Sequence, residues 1–191
     1  TAAGYLVEGG ELRIVGLGSG AQGRDLPHGE VGEIWMRGTG LMPGYFRDEA
    51  ITASVMREGG WYASGDLGRI DATGALHVVG RLKEMIIRSG FNVYPGEVER
   101  VLNQLPGVQR SAVVGRREAD GNEEVIAFLE LGPRGTAPDA ALIAHHVAER
   151  LAPYKRPARV VCVDAFPMTL SGKILKRELL AALDAPAAAQ A

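Results

Sequence analysis

Residues 78–99, with the sequence VVGRLKEMIIRSGFNVYPGEVE, mark a change in the pattern of the chain. From Glu11 to about Val79, short β-forming runs such as ELRIV and GALHVVG are separated by glycine, proline and aspartate, which is typical of an antiparallel sheet or small barrel. Within residues 78–99, MIIRSGFNVY predicts a strand or hairpin, and Pro95 opens a helix whose apolar residues share one face. The sequence therefore predicts two parts, with a boundary at residues 81–83.

After the boundary, strand and helix patterns alternate. SAVVG, EEVIAFLEL and ARVVCVD predict strands, and PDAALIAHHVAERLA predicts a helix. The predicted fold class is α+β: a β-rich, small barrel-like segment is followed by a compact α+β domain with a small mixed sheet flanked by helices.

The last predicted helix lies in TLSGKILKREL, residues 169–179. Ser171 and Gly172 predict its N-terminus, and the leucines that follow recur on one face. Lys173 then falls in the first turn, where the helix dipole disfavours a cation. Two explanations stay open: a bound anion that attracts both the lysine and the helix terminus, or a solvated lysine at small cost. Lys176 and Arg177 are predicted to be ordinary surface charges.

Composition limits the possible functions. The chain has 191 residues, 46% hydrophobic and 23% charged, which is typical of a globular protein. A net charge of −2 predicts no general attraction to nucleic acid or anionic membrane. The single cysteine, Cys162, excludes an intrachain disulfide, and the histidines lack metal-ligand spacing. No stretch has the pattern of a signal peptide or the ~20 apolar residues of a membrane span, so a cytoplasmic protein is expected.

GSGAQG, residues 18–23, fits the dinucleotide-binding pattern G-x-G-x-x-G. That pattern requires a helix to follow it, whereas RDLPHGEVGEIW leads into another predicted strand. The sequence therefore predicts a loose connection between two strands rather than a cofactor site.

Five stretches carry a family resemblance, in the order GEVGEIWMRGTGLMPGYF, WYASGDLGRID, VVGRLKEMIIRSGFNVYPGEVE, LAPYKRP and PMTLSGKILKREL. Together they closely resemble the adenylate-forming enzymes, which include acyl-CoA synthetases, firefly luciferase and peptide-synthetase adenylation domains. The resemblance implies the C-terminal portion of an AMP-forming acyl-CoA synthetase. Residues 1–81 would end the large N-terminal domain, residues 82–184 would form the mobile C-terminal lid domain, and residues 185–191 would be a disordered tail.

The resemblance also implies an activity. Such enzymes activate a carboxylic acid, here expected to be a fatty acid or a related one, with ATP to an acyl adenylate and then transfer the acyl group to CoA. The expected partners are the acid, ATP, CoA and the missing N-terminal domain, with Mg²⁺ held outside this chain and no nucleic acid. Two alternatives stay open: an adenylation domain that delivers to a carrier protein, and a non-catalytic binding module that keeps the lid fold.

Residue by residue, the resemblance implies three chemical positions. Lys173 matches the catalytic lysine, which reaches the substrate carboxylate and the α-phosphate during adenylation. Asp66 would accept hydrogen bonds from both ribose hydroxyls of the adenylate, and Arg81 would donate to the same ribose. The alternatives are a turn aspartate and a solvated arginine.

Further positions concern the lid. By the same resemblance, Lys83 matches the hinge about which the lid turns; the alternative is an ordinary lysine of a linker. The residues expected to contact CoA are Gly90, Tyr154, Lys155 and Arg156. A glycine such as Gly90 lets backbone approach a pantetheine arm, and it is also what a hairpin needs. No metal ligand is expected.

Overall fold

The computed structural model of this chain describes residues 2–18, 23–133 and 135–184. These residues divide into two compact units, Thr1–Lys83 and Glu84–Ala191. The assignment of residues 82–184 as a mobile lid stays a prediction. The predicted disordered tail, residues 185–191, and the middle of the GSGAQG loop lie outside the described residues.

The first unit is built on a five-stranded antiparallel sheet. Its strands are β1 (Gly10–Val15), β2 (Gly32–Gly38), β3 (Met56–Arg57), β4 (Trp61–Ile70) and β5 (Leu76–Arg81). Strand β4 pairs with β2 along one edge and with both β3 and β5 along the other. The predicted β-rich, antiparallel character of this part of the chain is confirmed.

A short helix, α1 (Glu49–Val55), precedes β3 and was not predicted. Asp48 caps it by accepting a hydrogen bond from the Ile51 N–H at 2.9 Å. With seven residues and no buried side chain, α1 has no apolar face for a sequence pattern to detect.

The second unit contains a hairpin, a three-stranded mixed sheet and three helices. In chain order these are β6 (Ile86–Arg88), β7 (Phe91–Val93), α2 (Pro95–Leu102), β8 (Val108–Arg117), β9 (Glu123–Leu131), α3 (Ala140–Arg150), β10 (Arg159–Val163) and α4 (Lys176–Asp184). Strand β9 lies in the centre, antiparallel to β8 and parallel to β10. The predicted α+β class and small mixed sheet are confirmed.

Strand β9 explains why this unit is compact. Its residues alternate between two apolar clusters, one with α2 and α3 and the other with α4. Val125, Ala127 and Leu129 belong to the first, and Ile126 and Phe128 to the second. Because both faces of β9 are covered, its sequence is a continuous apolar run rather than an alternating one.

Within the described ranges, no helix combines the length and the apolar character needed to cross a membrane. The same residues contain no group of three or more histidine, cysteine, aspartate or glutamate side chains placed to hold a metal ion.

Candidate functional site

The segment that carries Lys173 is a hairpin loop, not the start of a helix. Met168 and Ile174 form an isolated antiparallel bridge, and the Thr169 N–H donates to the Lys173 carbonyl at 2.9 Å. The Thr169 hydroxyl accepts from the Lys173 N–H at 3.1 Å, and Gly172 has φ of +79°. These bonds use the backbone groups that a helix would need, and a left-handed glycine belongs to a turn. The predicted helix start at Ser171 and Gly172 is therefore wrong, because α4 begins at Lys176.

This correction changes the argument about Lys173. The residue is exposed on a tight loop, three residues before the helix, so the first-turn dipole no longer acts on it. Among the residues that the structure describes, its ammonium group forms no ion pair. A free cation on a hydrogen-bonded loop is suited to meet an anion supplied from elsewhere.

The lysine at the helix start is Lys176, which the sequence analysis took for an ordinary surface charge. Its side chain is 25% exposed, and its Nζ lies 2.9 Å from Glu99 Oε1 and 3.1 Å from Glu84 Oε2. Burial lowers the pKa of Lys176, but the charges and hydrogen bonds of Glu99 and Glu84 outweigh burial and raise that pKa above its usual value. Lys176 is thus a paired, largely buried cation, whereas its neighbour Arg177 is exposed.

Asp66 and Arg81 face each other across β4 and β5. They are directly paired in the sheet, with Arg81 Nε 3.2 Å from Asp66 Oδ1. Asp66 lies within a strand, so the alternative of a turn aspartate is wrong. The two side chains are 37% and 56% exposed. An exposed pair of this kind contributes only about 0–1 kcal/mol, so its groups can exchange partners with a ligand at little cost.

A bulge in β4 fixes where Asp66 points. The register between β2 and β4 shifts just before Asp66, where Gly65 has φ of +71°. The Ser64 hydroxyl donates to the Ile34 carbonyl at 2.8 Å and accepts from the Asp66 N–H at 3.0 Å. Bulges commonly re-aim a side chain near a functional site. Here Ser64, which was not singled out from the sequence, holds the backbone of Asp66.

Tyr62 lies near enough to this pair for its phenol to interact with both charges, and Tyr62 also interacts with Tyr45. The interaction with the Tyr45 hydroxyl raises the pKa of the Tyr62 phenol, and burial and the Asp66 carboxylate raise it further. Tyr45 comes from GLMPGYF and Tyr62 from WYASGD, so the structure brings two of the resembling stretches together.

Lys83 is exposed, and it lies in a 3₁₀ turn formed by Leu82–Glu84. It is the last residue of the first unit, and Glu84 is the first residue of the second. The hinge assignment stays a prediction.

Gly90 lies at the tip of the β6–β7 hairpin. Arg88 pairs with Phe91, and the two residues between them, Ser89 and Gly90, have φ of +52° and +80°. Two successive positive φ values make a type I′ turn, the preferred two-residue hairpin turn. A side chain at position 90 would meet no atom of the chain within 4 Å, so conformation and not space requires glycine here. The Ser89–Gly90 tip is therefore open to an incoming group.

Tyr154 joins this hairpin to the LAPYKRP segment. The Tyr154 ring stacks on Phe91 with ring centroids 4.5 Å apart. Phe91 is 54% exposed, so the stack has a solvent-facing side. The structure thus brings Gly90 and Tyr154 to the same end of the second unit.

Lys155 and Arg156 have partners within the unit. Lys155 Nζ lies 2.7 Å from Glu97 Oε1 and 2.8 Å from Oε2. The Arg156 guanidinium donates to the carbonyls of Ala148 and Leu151 at 3.0 Å, where it caps the end of α3. A phosphate at this position would have to replace these contacts. The contacts therefore support a structural role for Lys155 and Arg156 rather than the expected role in binding CoA.

The comparisons with known proteins agree with the motifs. Residues 97–173 match the family described as AMP-binding enzyme C-terminal domain. This chain is 42% identical over 153 residues to 2-succinylbenzoate–CoA ligase from Geobacillus kaustophilus, covering 80% of this chain and 31% of the relative. Indoleacetate–CoA ligase from Aromatoleum aromaticum is 39% identical, covering 88% of this chain and 32% of the relative.

Solved structures give the same result. The chain superposes on ATP-bound MatB from Rhodopseudomonas palustris with a TM-score of 0.84 and 36% identity, covering 93% of this chain and 35% of that one. It superposes on o-succinylbenzoate CoA synthetase from Bacillus subtilis, in complex with its acyl-adenylate intermediate, with a TM-score of 0.82 and 32% identity, over 93% and 35%. The chain spans about a third of the length of these relatives. The predicted resemblance to the C-terminal portion of adenylate-forming enzymes is confirmed.

Sequence reasoning missed the residues that support this domain through long-range contacts. Glu99 and Lys176 are 77 positions apart, and Glu84 and Lys176 are 92 apart. The one local signal was a lysine in the first turn of a helix. It was assigned to Lys173 rather than to Lys176, because the helix was predicted to begin at Ser171 and Gly172. Phe91 carried no signal, since an aromatic residue in a hairpin is unremarkable.

Proposed function

We propose that this chain is the C-terminal part of an ATP-dependent carboxylic acid–CoA ligase that forms an acyl adenylate and then a thioester. The observation that carries the proposal is the family match of residues 97–173, in a chain whose relatives are named CoA ligases. The Asp66–Arg81 pair and the exposed Lys173 supply groups of the right chemistry. In this proposal residues 82–184 form the lid, and the protein acts in the cytoplasm, where ATP and CoA are available.

In the proposed reaction, residues of this chain bind and neutralise the substrates and form no covalent bond with them. Asp66 accepts hydrogen bonds from the ribose diol, and Arg81 donates to it. Lys173 approaches the α-phosphate and the carboxylate, whose negative oxygens repel each other before pyrophosphate leaves. ATP, CoA and Mg²⁺ would be the remaining components, and the described residues offer no cluster that would ligate the metal.

The acid is better proposed as ring-bearing than as a simple fatty acid. The names of the relatives specify 2-succinylbenzoate, indoleacetate and, in feruloyl-CoA synthase from Amycolatopsis sp at 42% identity, the feruloyl group. The fatty acid expected from the resemblance has no such support. Pyrophosphate exchange by the full-length protein, measured with arylalkanoic, cinnamic and fatty acids, tests this choice. A clear preference for the fatty acids would reverse it.

A second acceptor has a specific observation in its favour. The chain superposes on amide bond synthetase McbA from Marinactinospora thermotolerans with a TM-score of 0.83 and 37% identity, covering 94% of this chain and 36% of that one. An amine could therefore replace CoA as the acyl acceptor. Supplying the full-length protein with CoA and with simple amines in parallel distinguishes thioester from amide formation.

We expect this chain alone to be inactive, because it spans only about a third of the relatives' length. No acid-dependent exchange between ATP and pyrophosphate should be measurable with the pure 191-residue protein. The full-length protein under the same conditions is the control. Exchange by the chain alone, at a rate comparable to the full-length protein, would contradict the proposal.

Replacing Asp66 with asparagine in the full-length protein should raise the KM for ATP. The loss of charge-assisted hydrogen bonds, at about 1.5–3 kcal/mol, corresponds to about tenfold or more. Asp25→Asn is the matched control, because it breaks another exposed aspartate–arginine pair, with Arg13, in the same unit. If the two variants have the same KM, Asp66 does not bind the nucleotide.

A further inference from the structure

Three charged side chains form a group that the reaction proposed above does not use. Lys176, Glu99 and Glu84, here called the Lys176 cluster, come from the start of α4, from α2 and from the turn that opens the second unit. Glu99 Oε1 also accepts from the Val113 N–H of β8 at 2.8 Å. One ammonium group therefore links four separate segments of the unit.

The position of Lys176 is not the one expected of a side chain whose ion pairs only add stability. Lys176 is the first residue of α4, where the helix dipole disfavours a cation, and its side chain is three-quarters buried. A buried charge of this kind costs free energy unless it is fully paired, and an apolar residue of similar size often serves stability as well. The cluster thus provides a defined connection between segments at little net gain in stability.

The Lys176 cluster lies between two residues of the proposed mechanism, the hinge residue Lys83 and the catalytic residue Lys173. Glu84 directly follows Lys83, the proposed hinge. Lys176 is three residues after Lys173, and the intervening residues are fixed: Ile174 bridges to Met168, and the Leu175 N–H donates to the Pro167 carbonyl at 2.8 Å. The cluster ties the first residue of the unit to the base of the loop that presents Lys173.

We propose that Lys176 is a positioning residue for Lys173, which holds the loop of residues 168–174 in a fixed place relative to Glu84. Any rotation at Lys83 then carries Lys173 with it as part of one body. This inference rests on the proposed function only for the use made of Lys173. The mechanical link itself does not depend on it.

Amide hydrogen exchange on the 191-residue chain tests the link without any activity. Lys176→Met keeps an unbranched side chain, one atom shorter than that of lysine, and removes the charge. We expect faster exchange at Gly172 and Lys173 and at Val113, with unchanged exchange in the centre of β9. Lys176→Arg should restore protection, because it returns a cation with several donors. Arg177→Met, a loss of charge at the neighbouring exposed position, should have no effect.

Glu84→Gln provides a second variant if Lys176→Met folds poorly. This substitution keeps the contact between Lys176 and Glu99 and weakens only the contact between Lys176 and residue 84. We expect exchange at the Lys173 loop to rise, but less than in Lys176→Met. Unchanged protection of residues 168–175 in both variants would overturn the link.

Kinetics of the full-length protein then test the positioning of Lys173. In Lys176→Met we expect adenylation to fall about 10- to 100-fold, the scale of a misplaced catalytic group, while thioester formation from supplied acyl adenylate changes little. Lys176→Arg should recover most of the rate. Equal losses in both half-reactions together with a lower melting temperature would mean a structural role only. If the full-length wild type has no ligase activity, the proposed function fails, and hydrogen exchange still decides the link.

Discussion

Replacing Lys173 with alanine in the full-length protein is expected to lower acyl-adenylate formation by a factor of about 10² or more, the scale of removing one positioned electrostatic group. The lysine is exposed on a hydrogen-bonded hairpin loop and forms no ion pair among residues 2–18, 23–133 and 135–184. Its charge is therefore available to a ligand. Pyrophosphate exchange measures the loss.

Thioester formation from supplied acyl adenylate should be affected much less, because the phosphate and carboxylate have already reacted. Arg177→Ala is the control, since it removes an exposed cation four positions away that does not share the loop. Equal losses in the two half-reactions, or an equal loss in Arg177→Ala, would show that Lys173 has no specific part in adenylation.

Lys83→Pro should separate the two half-reactions. Lys83 lies in a 3₁₀ turn, whose φ of about −50 to −70° is the value that proline imposes. Proline also disfavours a helical conformation at Leu82, so the variant restricts two successive residues at the junction of the units. If the reaction requires the lid to rotate at Lys83, the restricted backbone of the variant allows only one of the two lid arrangements. From the family resemblance we expect adenylation to persist and acyl transfer to CoA to fall about 10²-fold, as for a misplaced reacting group.

Lys83→Ala is the control, because it removes the same side chain and leaves the backbone free. The two half-reactions should be measured separately, with the melting temperature of each variant as a check on folding. A folded Lys83→Pro variant with both rates near wild type would exclude Lys83 as the hinge. The boundary at residues 81–83 would then be structural only.

Local patterns in the sequence were sufficient for most of the secondary structure. The apolar face of α2, the β6–β7 hairpin, which is one of the two alternatives predicted for MIIRSGFNVY, and the apolar run of β9 all depend on residues close together in the chain. Each of these predictions is confirmed. The short helix α1 escaped because it has no buried face, and the start of α4 was misplaced because a hairpin and a helix compete for the same backbone groups in residues 168–175.

The sequence by itself determined the fold class and the resemblance to adenylate-forming enzymes, because these follow from local periodicity and from the order of short motifs. Only the tertiary structure decided that Lys176 is paired, whereas Lys173 forms no ion pair with the residues that the structure describes. Their local contexts are alike, and the difference lies in Glu84 and Glu99, which fold against Lys176 from 92 and 77 positions away. Charge pairing depends on distances of a few ångström in space, and separation along the chain does not give those distances.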